Sequence, residues 1–164
     1  MARLIEELTA TLTGVTFHPP STDQTIGRNI DVLVRLAGSG RAAARALGVA
    51  ESTFRGWRHG VQPRSGQQAI VSTARRLGAL NTGQLAYALG DGSLTIRGII
   101  RVSRDVRERT VHPGRHIPST TMARILRRWA AAEDDSKVER SLMRAIDHYY
   151  QPLDFQTITG VWFE

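Results

Sequence analysis

Gly40-Arg-Ala-Ala-Ala-Arg-Ala-Leu-Gly-Val-Ala-Glu-Ser-Thr-Phe-Arg-Gly-Trp-Arg-His-Gly60 is the stretch that decides the N-terminal half of the chain. One short helix is expected from about Arg41 to Leu47 and a second from about Glu51 to Arg58. Gly48 sits between them, where a left-handed backbone is needed and a side chain would be strained. Ala44 is small enough for the second helix to approach the first closely. Val49, Phe54 and Trp57 fall on one side, the two aromatics three residues apart on the same helical face. The stretch therefore predicts two helices crossing steeply over a shared apolar seam.

The spacing Ala-x-x-Leu-Gly-Val-x-x-x-x-Phe-x-x-Trp resembles the helix-turn-helix of many bacterial DNA-binding proteins. In that motif the second helix enters the major groove and its N-terminal half meets base edges. The outward positions here are Glu51, Ser52, Arg55, Gly56 and His59, with Arg58 to the side. Arg55 is the expected reader of a guanine, and Ser52 is placed for a base or a phosphate. Arg41, Arg45 and Arg64 flank the pair and suit phosphates. Gly56 weighs against the reading, since glycine costs ~1 kcal/mol relative to alanine inside a helix. The alternative is a helical hairpin within an ordinary core.

Charge favours the first reading. Residues 35–115 hold 14 arginines against four acids, a net +10, while residues 1–34 stand at −2 and residues 116–164 at −1. A concentrated basic block attracts a polyanion; double-stranded DNA is the expected partner, and the bland alternative is a solvated basic surface. Lys137 is the one lysine among 22 basic residues. Arginine forks onto phosphates and guanine edges, but a GC-rich genome produces the same bias.

Outward from the motif, Leu4 to Leu12 carries helical spacing, and His18-Pro19-Pro20 ends it. Ser21-Thr22-Asp23 can cap a second helix with Ile26, Ile30, Leu33, Val34 and Ala37 on one stripe. After a turn at Pro63–Gly66, a fifth helix is expected through Ala69, Ile70, Thr73, Ala74 and Leu77, with Gly78 and Gly83 bracketing a break and a short helix at Gln84–Leu89. Leu94, Ile96, Ile100 and Val102 then alternate at period two, a strand signal. Arg104-Asp105 can turn the chain into a second strand near Val106–Val111, and Pro113-Gly114 reads as a loop. Ser119 can cap a helix with Met122, Ile125, Leu126 and Trp129 inside, and Asp134, Asp135 and Ser136 can cap another through Val138 to Tyr149. Ile158 to Phe163 is β-prone and can pair with the hairpin. The fold class is α+β: residues 1–90 are a helical helix-turn-helix domain, and residues 91–164 a small domain with a β-sheet and two helices. The boundary falls near Gly90-Asp91-Gly92.

Little else points to chemistry. No cysteine is present, which excludes disulfides and thiolate metal sites. His112 and His116 flank Pro-Gly and do not share a helical face, so no metal is expected. There is no glycine-rich phosphate loop, and no cofactor or autonomous enzyme activity is expected. No apolar run reaches a membrane span and no cleaved leader is expected, so the expected location is cytoplasmic, on the nucleoid, with no membrane partner.

The layout as a whole resembles the telomere terminal proteins of linear actinomycete replicons, of the Streptomyces type, which are attached to the 5′ ends of DNA. The likeness rests on the order of elements, on Thr110-Val-His-Pro-Gly114 after an Arg-rich strand, and on the tail ending in Thr157-Ile158 and Phe163-Glu164. Glu108-Arg109 stands where that family has an aromatic-Gly pair, and the acidic residues that the family has after the Pro-Gly loop are absent. The resemblance implies protein-primed synthesis, in which a side-chain hydroxyl replaces the 3′-OH of a primer and a partner DNA polymerase, with its metal ions, joins the first nucleotide. It implies a telomere-associated protein and a single-stranded telomeric overhang as further partners. The matching hydroxyl is Thr110, among Arg107, Arg109 and Arg115, with Ser103 and Thr120 next. The competing reading is a non-covalent regulator or partition protein of a mobile element that dimerises through its C-terminal half. An RNA-binding reading lacks the aromatic strands that stack bases.

Overall fold

The computed structural model describes residues 4–14, 23–59 and 67–164. His18-Pro19-Pro20, the expected caps Ser21 and Thr22, the turn at Pro63–Gly66 with Arg64, and the side chain of Ile26 lie outside the described residues. The elements run α1 (Leu4–Thr13), α2 (Asp23–Ala37), α3 (Gly40–Leu47), α4 (Glu51–Arg58), α5 (Gln67–Thr82), α6 (Gln84–Leu89), β1 (Leu94–Val102), β2 (Asp105–Val111), a 3-10 turn (Pro113–Arg115), α7 (Ser119–Ala130), α8 (Asp135–Tyr149) and β3 (Asp154–Phe163). The fold is α+β. None of the helices described is long and apolar enough to cross a membrane.

The apolar residues gather into two cores. One is built from α2 to α5: Ile30, Leu33, Ala43, Ala44, Phe54, Ile70 and Ala74 are buried there, with Trp57, Leu47 and Val49 packed against them. The other joins α1, the sheet, α7 and α8 around Trp129, Leu126, Ile96, Ile100 and Leu142. The expected boundary near Gly90 groups α1 and α6 with the helical half. In the structure Leu4, Ile5, Leu8 and Leu12 of α1, and Ala88 of α6, are buried in the sheet-side core.

Helix α5 touches both cores. Ile70 and Ala74 enter the first. The neighbouring Arg75 is buried and reaches the second, donating from Nη1 to the Trp129 carbonyl (3.0 Å) and from Nη2 to Asp135 (2.7 Å). Its guanidinium also lies 5.3 Å from the Trp129 ring centre. The indole N–H donates to the Thr9 hydroxyl of α1 at 2.9 Å, so one buried tryptophan ties three helices. Gly78 lies inside α5 and marks no break. A Cβ there would come 2.9 Å from Thr13 Cβ, so the glycine serves the close approach of α1. The break falls at Gly83, whose φ of 69° is left-handed.

The sheet is antiparallel in the order β2-β1-β3. The expected alternation in β1 is present, with Leu94, Ile96 and Ile100 buried and Arg97, Ile99 and Arg101 exposed. Gly98 has no side chain because a Cβ would collide with the Thr157 carbonyl of β3. The β1–β3 register shifts twice, between Arg97 and Gly98 and between Ile99 and Ile100, passing over Thr159 and Gln156. Two caps differ from expectation. Pro118 precedes α7 and Ser119 is its first residue, with no side-chain cap bond. Asp134 alone caps α8, accepting from the N–H groups of Ser136 (2.9 Å) and Lys137 (3.2 Å), while Asp135 turns to Arg75.

Candidate nucleic-acid interface

Helix α3 starts at Ser39, whose hydroxyl accepts from the Ala42 N–H at 3.0 Å. It stops at Gly48, with φ 74° and ψ 26°. The Gly48 N–H then donates to the Arg45 carbonyl and the Val49 N–H to that of Ala44, closing the helix end. Ala43 and Ala44 are buried, and Phe54 fills the space their small side chains leave, 1% exposed. Burying a ring of that size contributes about 2 kcal/mol or more. Trp57 meets Phe54 edge to face, with ring centres 6.0 Å apart. The angle between α3 and α4 is thus fixed from below by an aromatic pair against alanines.

Above that seam, Ser52, Arg55, Gly56 and His59 are exposed, and their spacing puts them on one face of α4. Nothing comes within 4 Å of a Cβ built on Gly56, so packing does not require glycine there; its bare backbone lowers the middle of that face. Arg41 and Arg45 are exposed one turn apart on α3. Glu51 stands between the helices, 3.7 Å from Arg41 Nε and 3.5 Å from Arg55 Nη2. The structure therefore gives Glu51 an orienting place between the two arginines rather than a free outward one. Arg58 folds back over the start of α3, where its Nη1 lies 2.9 Å from the Cβ that Gly40 lacks. Arg64 lies outside the described residues. Arg35, in the last turn of α2, is exposed and joins the cations carried by this core; no motif singles it out.

Of the rest of the basic block, Arg76 and Arg104 are exposed without an ion pair among the described residues, but the others are less available than their count implies. Arg75 is buried. Arg97 pairs with Glu108 at 3.1 Å and Arg101 with Asp154 at 3.7 Å. Arg107 and Arg109 both pair with Asp105, and Arg115 approaches Glu164 at 4.0 Å.

Thr110 is exposed on β2 and sits opposite Arg97 in the register. Successive strand residues point to opposite faces, so Arg107 and Arg109, at odd separations from Thr110, leave on the other face. The expected cluster of arginines around its hydroxyl is not assembled; of the nearby cations only Arg97 shares its side of the sheet. A groove of about 460 Å³ runs along this edge, lined by Arg107, Arg109, Thr110, Tyr150 and Gln151 among others. Ser103 is exposed in the β1–β2 turn with a left-handed φ of 58°, and Thr120 is exposed in the first turn of α7. His112 Nδ1 faces the Thr95 hydroxyl at 3.2 Å, whereas the His116 ring packs on Tyr150 with centres 5.0 Å apart. Comparison with protein-family models, with curated proteins and with solved structures finds no match to this chain.

Proposed function

We propose that the chain binds duplex DNA through α3 and α4, with α4 in the major groove. The observation that carries this reading is the uncovered face of Ser52, Arg55, Gly56 and His59, held over a buried Ala44–Phe54 seam and flanked by Arg41 and Arg45. Arg55 reads a base edge, ideally the N7 and O6 of guanine. Ser52 and His59 bond bases or phosphates beside it, and Arg41, Arg45 and Arg58 hold phosphates. Glu51 keeps Arg41 and Arg55 extended until DNA replaces it as their partner.

Comparing two arginines tests this. Arg55→Ala should cost roughly 1–3 kcal/mol at one base position and relax the preference there. Arg41→Ala should weaken all sequences alike and reduce the slope of log affinity against log salt by about 0.9. Equal, non-selective losses from both variants would show that α4 does not read bases. Wild-type binding that is weak and indifferent to salt would end the DNA reading.

A second reading has one observation in its favour, the exposure of Thr110 beside Arg97. On it the chain is of the telomere terminal protein type. The Thr110 hydroxyl attacks the α-phosphorus of a deoxynucleoside triphosphate held by a partner polymerase, giving its proton to solvent; the bond to the β-phosphate breaks, pyrophosphate leaves, and the threonine keeps the nucleoside monophosphate as a phosphoester. Thr110→Ala should abolish labelling by a radioactive nucleotide in a replication extract and spare duplex binding. Undiminished labelling would move the search to Ser103 and Thr120. If the wild type never labels, the same helix pair belongs to a non-covalent regulator or partition protein.

A further inference from the structure

By composition residues 116–164 are close to neutral, yet the structure separates their charges. Glu133 is bound by Arg128 through two hydrogen bonds of 2.6 and 2.7 Å. Asp134 caps α8, Asp135 neutralises buried Arg75, and Glu139 accepts the Ile5 N–H at 2.9 Å. Asp154 lies against Arg101 and Gln156, and Glu164 takes the Trp162 indole N–H at 3.0 Å beside Arg115 and His112. Six of the seven acids of this segment are thereby engaged, leaving Asp147. Arg124, Arg127, Arg140 and Arg144 are exposed and make no ion pair or side-chain hydrogen bond among the described residues. Lys137 is exposed too and acts on Glu133 only through space.

These cations are ordered by their helices. Arg124 and Arg127 lie on the side of α7 away from buried Met122, Ile125, Leu126 and Trp129. Lys137, Arg140 and Arg144 follow at i, i+3 and i+7 on α8, away from buried Val138, Leu142 and Ile146. The α8 stripe is ~10 Å long. That passes about three phosphates of one strand at ~3.4 Å of duplex axis each.

We propose that α7 and α8 carry a second DNA surface, which holds the phosphate backbone without reading sequence. The identification of its polyanion as DNA rests on the helix-turn-helix reading. The chemistry of the stripes favours this partner: in a protein interface arginines accompany aromatic anchors at a desolvated centre, and a membrane-surface helix needs a free apolar face. Here the apolar faces of both helices are inside the core and the outer positions are mainly arginine and lysine, with Asp147, His148 and Tyr149 exposed only at the C-terminal end of α8. The surface stands on the sheet-side core, apart from the core that holds α3 and α4.

The test measures binding of the full chain to a duplex several helical turns long, across about 50–200 mM salt. The first variant is Arg124→Gln/Arg127→Gln/Arg140→Gln/Arg144→Gln, and the second is Arg41→Ala/Arg45→Ala/Arg55→Ala. Each lost phosphate contact lowers the salt slope by about 0.9, so the glutamine variant should lose about 3.6 from the slope and keep its ratio of specific to non-specific affinity. The alanine variant should lose that ratio yet retain salt-dependent binding. Arg140→Gln/Arg144→Gln alone, should the fourfold change disturb folding, should lose about half as much slope. An unchanged slope in the glutamine variants, or no residual binding in the alanine variant, overturns the second surface. If the glutamine variant alone loses binding while the alanine variant is unaffected, this surface stands and the helix-turn-helix reading falls. No binding by the wild type overturns both.

Discussion

Arg75→Ala should be among the most damaging single substitutions in the molecule. The side chain is 4% exposed and joins the helix core to the sheet core through Asp135, the Trp129 carbonyl and the Trp129 ring. Removing one partner of a buried ion pair costs about 3–5 kcal/mol when the other charge stays unsolvated. Two features lower that figure. Asp135 is 28% exposed and can take up water, and the Trp129 carbonyl keeps the Ala132 N–H at 2.9 Å. Lost packing of the arginine stem works the other way. The expected loss is about 2–3 kcal/mol, or about 5–10 °C in Tm for a chain of this size. Denaturant unfolding of Arg75→Ala, Asp135→Asn and the double variant measures both the loss and the coupling. A loss under about 1 kcal/mol, or single costs that simply add, would refute the idea that this pair fastens the cores together. Its removal should also let the two cores melt at separate temperatures in calorimetry.

Four further outcomes are expected. Gly48→Ala should cost about 1 kcal/mol through its left-handed backbone alone, because no atom lies within 4 Å of the new Cβ. Gly78→Ala should cost about 1–3 kcal/mol despite the better helix former, because the methyl meets Thr13; a stabilised Gly78→Ala in chemical denaturation would contradict the tight α1–α5 approach. Trp129→Phe should lose about 2 kcal/mol with the Thr9 bond and part of the ring, and unchanged stability would argue against that bond. The hydrogen bonds from Arg128 hold the Glu133 carboxyl below its ordinary value. A lowered folded value gives stability that is complete above the unfolded pKa and is lost as pH falls through the folded one. Glu133→Gln should therefore lower the neutral and alkaline plateau of the stability–pH curve, where the contribution is complete, and flatten its acid side, where the wild type loses it.

The helix-turn-helix and β1 are legible in the sequence because their patterns are local. Ala44, Gly48 and Phe54 each have one physical role, and helices cover only one face of β1, so alternation survives. Gly78 misleads because a glycine that ends a helix and one that admits a neighbouring helix look alike in one chain. The charge count misleads for a related reason. It assigns Arg75 to a surface although burial and Asp135 claim it, and it calls residues 116–164 neutral although their acids are taken up by caps, pairs and backbone. The fault at Thr110 is different: residues adjacent in a strand sequence point apart, so arginines at 107 and 109 leave the sheet on the face opposite the hydroxyl at 110, although all three border one groove at this edge.

The two register shifts of β3 alter what counts as a mild change there. Phe155, Ile158 and Val161 all pair with inward-facing residues of β1 although they are three apart, because Gln156 and Thr159 are each passed over in the pairing. Loss of a residue from a strand ordinarily turns everything beyond it inside out. Here, removing Thr159 would bring Ile158 and Val161 to a spacing of two, and removing Gln156 or Thr157 would do the same for Phe155 and Ile158, whereas removing Trp162 would make the inward-facing Val161 and Phe163 adjacent and turn one of them out. Deletion in this strand is thus permitted within its two irregular steps and penalised in the regular stretch beyond them, a grammar of length changes that substitution patterns alone would not reveal.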